Sequence, residues 1–157
     1  MIDAKGIDWT DPKAKISRYF TVKEALYLHR WGRLANEGDG LTCHAKEQIC
    51  ILAAKMDLVR DFIGLPIRVH RWWSSVLYNE EVGGAKGSKH LCLGPWSAID
   101  WDAVVDGTYG DIEESCRILR AALLPKLAEW GLRMENREGP WVHTDNAPVL
   151  YSRFFRP

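Results

Sequence analysis

The chain predicts an α+β fold in which helical segments come early and late. Short strands lie between them without the regular strand–helix alternation of a doubly wound sheet. Three observations carry this. An apolar repeat at steps of three and four runs through residues 44–62. Apolar and polar residues alternate in three short stretches, at 67–70, 98–104 and 141–145. The 157 residues, 46% of them hydrophobic, are enough for one domain with a real core. The expected architecture is a small antiparallel sheet flanked by about three main helices. Residues 1–157 read as a single domain, with 1–18 as a polar, irregular arm containing Pro12.

Thr21-Val22-Lys23-Glu24 forms a capping box, and Ala25, Leu26, Leu28 and Trp31 follow at helical spacing, so a helix is expected from Thr21 to about Leu34. Gly38-Asp39-Gly40 ends that region. The second helix runs from about His44 to Phe62 on the face of Ile49, Leu52, Ala53, Met56, Val59 and Phe62. Gly64-Leu65-Pro66 stops it. Ile67 to His70 reads as a strand, 71–97 as a long ordered connection rich in Gly, Ser and Trp, and Ala98 to Val104 as a central strand. On that strand Ile99 and Trp101 point one way, Asp100 and Asp102 the other. A third helix starts at Asp111 and passes Leu127, with a break at Pro125. Strands at Leu132–Glu135 and Trp141–Asp145 close the fold, and the second places Trp141, His143 and Asp145 on one face.

Lys and Arg total 21 against 21 Asp and Glu, and no basic block occurs, which gives no support to nucleic acid or an anionic membrane as partner. No apolar run approaches the ~20 residues of a membrane span. Met1 to Lys5 lacks the cationic and apolar regions of a secretory signal. The four cysteines are scattered and include no Cys-x-x-Cys pair, so buried, reduced thiols are expected. The eight tryptophans read mainly as core and rim fillers. Trp72 and Trp96 are the candidates for a functional surface.

The chemistry concentrates in three places. His90 ends the Gly- and Ser-rich run 82–90, Asp100 follows on a strand, and His143 sits on a strand some fifty residues later. Two imidazoles and one carboxylate suit zinc and leave its fourth position open, as in catalytic sites. Cys92 is a possible additional thiolate. His29, His44 and His70 have no partner at ligand spacing and read as surface or helix-face residues. No phosphate loop or Gly-x-Ser-x-Gly elbow is present.

Val82-Gly83-Gly84-Ala85-Lys86-Gly87-Ser88-Lys89-His90 and Ser97-Ala98-Ile99-Asp100 resemble the Ser-x-His and Ala-x-Asp signature of zinc D-Ala-D-Ala carboxypeptidases. That group also takes in lysostaphin-type endopeptidases and the hedgehog N-terminal domain. Trp141 to Asp145 resembles its second His motif. Pro66 to Val69, Tyr78-Asn79 and the lead-in from Tyr19 to Ala25 extend the likeness over about Phe20 to the end. The resemblance implies a hedgehog/D-Ala-D-Ala peptidase-like fold in which His90, Asp100 and His143 bind zinc. It also implies a peptidoglycan stem peptide as substrate and hydrolysis of one of its amide bonds. Ser88 and Asn79 would orient substrate or loop.

Three positions depart from that group. The spacing from His90 to Asp100 is ten instead of seven. Pro140 stands three residues before His143, where a catalytic Glu or Asp is usual, which leaves Glu138 and Asp145 as candidate bases or Asp145 as an orienter of His143. Aligning Trp72 puts Ser74 where an arginine is usual, and Arg71, at an odd offset, is expected on the opposite face if the segment stays extended. Arg153 and Arg156 are read as a solvated tail or as a grip for a substrate carboxylate. The alternative reading is a metal-binding module of the same fold with impaired catalysis. A wall-directed activity with no visible leader would suit a phage-encoded protein or a chain given without one.

Overall fold

Thr21 caps the first helix as its sequence predicts: the Thr21 amide donates to Glu24 Oε2 at 2.8 Å, and Glu24 N donates back to Thr21 Oγ1. The helix, α1, is only Val22–Leu26. The expected continuation to Leu34 is instead a short hairpin of β1 (Tyr27–Leu28) and β2 (Arg33–Leu34), turning through Gly32 at φ 64°. Tertiary contacts override the helical spacing here. Trp31 meets the Tyr78 ring edge-on at 5.2 Å and donates from Nε1 to Glu81, while Ala35 N bonds to Leu26 O. The coordinates are a computed structural model that describes residues 4–156. The readings of residues 1–3 as the start of the arm and of the N-terminal signal, and Pro157, lie outside them. Within the arm, Trp9 and Ile16 are buried, so this irregular segment is packed onto the body.

α2 spans Cys43–Ile63, capped by the Thr42 hydroxyl and ended by Gly64. Its buried residues include Ile49, Leu52, Met56 and Val59. α4 (Ile112–Leu123) is capped by Asp111 and breaks where Pro125 has no N–H to give. The chain continues through a 3₁₀ turn into α5, Leu127–Trp130.

The connection 71–97 contains structure its composition hides: α3, Val76–Glu81, capped by Ser75, and a 3₁₀ turn at Lys89–Leu91. A five-stranded sheet has the order β3-β4-β6-β5-β7, with β3 Arg68–Arg71, β4 Ala98–Asp102, β5 Arg133–Glu135, β6 Val142–Asp145 and β7 Phe154–Phe155. All its pairings are antiparallel except β5 with β7, and β7 was not foreseen. The fold is therefore mixed α+β with small sheets. One face of the large sheet, with Ile99, Trp101, Met134 and Val142, belongs to the same apolar core as α2 and α4. The other face carries the polar cluster described next.

Candidate metal centre

β4 and β6 pair in a register that sets Asp100 directly opposite His143. The third member arrives from outside the sheet. Ser88 caps the 3₁₀ turn Lys89–Leu91, and the turn buries His90 beside β4. Donor atoms of His90, Asp100 and His143 lie within 4.8 Å of one another, so the three form a group able to hold a metal ion. Asp100 Oδ2 is 3.2 Å from His90 Nε2, and Asp100 Oδ1 is 2.6 Å from His143 Nδ1. Ligands of a tetrahedral zinc at ~2.1 Å stand roughly 3.4 Å apart, close to the His90–Asp100 separation of 3.2 Å.

Backbone and side-chain bonds decide which nitrogens face the centre. His90 Nδ1 is 2.6 Å from the Trp72 carbonyl, which only accepts, so Nδ1 carries the proton and Nε2 presents its lone pair. The Ser74 amide donates to the His90 carbonyl at 3.0 Å and fixes the same turn from behind. His143 turns Nδ1 inward, and its Nε2 lies 3.7 Å from Asp145 Oδ2.

The electrostatics differ between the two imidazoles. Burial lowers the His90 pKa against the pull of Asp100, which favours the neutral imidazole that a metal requires. Burial also opposes charge on His143, but the Asp100 and Asp145 carboxylates prevail and raise it to about 9. Burial would raise Asp100, yet His90 and His143 hold it well below the usual carboxylate range. Asp145 resists burial in the same way through His143 and Arg133 and sits at about 2.

The arginine expected on the wrong face is on the right one. β3 carries an irregularity between Val69 and Arg71 that puts Arg71 opposite Asp100. β3 ends at Arg71, so strand alternation does not carry on to Ser74. Arg71 Nη2 donates to Asn79 Oδ1 at 2.8 Å and approaches Ser88 Oγ at 3.4 Å. Its Nε is buried without a partner. Asn79 Nδ2 donates to Ala85 O, and the Asn79 amide lies against Gly84, where a Cβ would stand 2.1 Å from Oδ1. The Gly83-Gly84 pair is thus explained locally: Gly83 takes φ 74°, and Gly84 leaves room for Asn79.

Other expected residues lie elsewhere. Ser74 is 1% exposed, so it serves the His90 backbone and presents no side chain to a ligand in solution. Glu138 is exposed in the turn before β6, near enough to Arg120 to favour that guanidinium's charge. Asp145 is fully buried and paired with Arg133. Cys92 stays outside the donor group, its thiol pushed up by burial to about 12. Trp72 is core, edge-on to Phe20 at 5.3 Å, and contributes only its carbonyl. Trp96 covers Gly94 beneath Lys89 Nζ at 4.5 Å. His70, read as a surface residue, bonds to the buried Asp102 together with Arg68. Arg153 donates to the Leu132 carbonyl.

Sequence reasoning named Arg71 but expected it on the opposite face, and it missed Arg133. A strand irregularity and a cross-strand register placed them, and neither leaves a local signal. Compared with known proteins, the chain matches no family model, no curated protein and no solved structure.

Proposed function

We propose that this chain is a zinc-dependent peptidase-like domain of the D-Ala-D-Ala carboxypeptidase and hedgehog group, acting on amide bonds of peptidoglycan stem peptides as a carboxypeptidase or endopeptidase. The observation that carries the reading is the meeting of His90, Asp100 and His143 beside an arginine with a buried, unpartnered Nε. These ligands fit zinc by donor type and spacing. Zinc, when bound, supplies Lewis acidity that polarises an amide carbonyl and acidifies water. Arg71 offers its free N–H to a carbonyl or carboxylate oxygen, and Asn79 and Ser88 hold the guanidinium in place. Among the described residues no further His, Cys, Asp or Glu joins the group, which leaves a coordination position for water or substrate.

One observation favours the second reading, a binding module with impaired catalysis. The proton acceptor is the missing part: Pro140 has no acidic group, Glu138 is exposed in its turn, and Asp145 is fully buried against Arg133. Incubating the zinc-loaded protein with purified peptidoglycan separates the two. Release of an amino acid or shortened stem peptide, abolished by His90→Ala and reduced about 10²–10³-fold by Arg71→Ala, supports the peptidase. Zinc uptake with peptide binding and no release supports the module. A chain that takes up no zinc defeats both.

A further inference from the structure

We propose that the buried Arg133–Asp145 pair is the positioning device of the metal centre, holding His143 from its outer nitrogen and itself clamped by the C-terminal strand. The inference rests on the metal-centre reading above. Asp145 is wholly buried, and its oxygens accept from Arg133 Nε and Nη2, each at 2.8 Å, and from Ala147 N at 2.9 Å. The remaining approach to Oδ2 comes from His143 Nε2 at 3.7 Å. A carboxylate so enclosed cannot take a proton from substrate. At 3.7 Å it faces the Nε2–H as a fixed negative charge just beyond hydrogen-bond distance, which keeps Nδ1 turned toward Asp100 and the ion.

Arg133 is held in turn from β7 and the segment before it. Its Nη1 donates to the Pro148 carbonyl, and its guanidinium lies 4.5 Å from the centre of the Phe155 ring. Phe155 also faces the His143 ring edge-on at 6.4 Å. β7 is aligned parallel to β5, with Phe155 opposite Glu135. A run therefore leads from the last strand through Arg133 and Asp145 to one ligand. It gives the chain after β6 a task in shaping the centre.

Removing one partner leaves an unpaired buried charge and endangers folding. The deciding variant therefore removes both charges at similar volume, Arg133→Met with Asp145→Leu. It is expected to fold with a melting temperature close to the parent and to bind zinc about 10–100-fold more weakly in competition with a chromophoric chelator. Arg133→Met with Asp145→Asn restores an acceptor opposite Nε2 and is expected to recover part of that loss. In metal-free protein, the His143 Nε2–H should exchange slowly with solvent in the parent and rapidly in the Met/Leu double variant, as read by ¹⁵N NMR. Parental zinc affinity with unchanged exchange in the folded double variant overturns the proposal. If that double variant does not fold, a neutral polar pair, Arg133→Gln with Asp145→Thr, is read by the same two measurements, and parental zinc affinity with unchanged exchange in it likewise overturns the proposal. If the parent takes up no zinc, the metal reading falls, and the exchange measurement alone decides the positioning role.

Discussion

In the metal-free protein His143 keeps its proton to about pH 9, because two carboxylates outweigh the cost of burying the charge. That folded value lies above the ordinary 6.5. The stability it contributes is therefore complete below pH 6.5 and vanishes as pH rises through 9, a loss on the order of 3 kcal/mol. Asp145 has the opposite sign. Its folded value of about 2 lies below 3.8, so its contribution is present above pH 3.8 and disappears as pH falls through 2. The metal-stripped chain should thus be most stable between about pH 4 and 6.5, with a melting temperature that declines from pH 6.5 to 9. In His143→Asn the alkaline decline should flatten; an unchanged slope in calorimetry would show that another group carries it.

The elements around the centre owe their placement to short-range features of different visibility. α2 was readable from its apolar face, which repeats over about four turns, and from Gly64, which ends it, whereas the Thr42 cap was not read. α3 was not, because six residues between Gly- and Trp-rich stretches show no repeat. The 82–90 loop is an intermediate case: its glycines were visible, but their purpose depends on Asn79 folding back from α3. Gly84→Ala would place a methyl 2.1 Å from Asn79 Oδ1. The amide must rotate away, losing its bonds to Ala85 O and Arg71. The expected cost is about 1–3 kcal/mol in denaturant unfolding, together with a displaced Arg71 Nε resonance. A variant as stable as the parent, with Arg71 unmoved, would remove Asn79 from this role.

Across the whole molecule, the three donors come from a 3₁₀ turn and two strands, spread over residues 90–143, and an unfolded chain cannot gather them. Metal binding should therefore appear as folding stability. Zinc at a hundredfold excess over its dissociation constant should add about 2.7 kcal/mol, or roughly 5–10 °C in melting temperature for a chain of this size. His90→Ala should abolish the gain, and scanning calorimetry with and without zinc reads it directly. An equal rise in that variant would place the ion elsewhere.

The order of residues was enough to name the donors, to put His143 and Asp145 on one strand face and to foresee a small sheet with helical segments early and late in the chain. Caps, periodicity and alternation act over a few residues, so they are written locally. Folding alone decided which nitrogen of each imidazole faces inward, that Arg71 turns toward Asp100, and that Arg133 neutralises Asp145. Each of these depends on a strand irregularity, a cross-strand register or a carbonyl supplied by a distant turn. Such relations arise only when segments far apart in the chain are packed together, and no window along the sequence contains both partners.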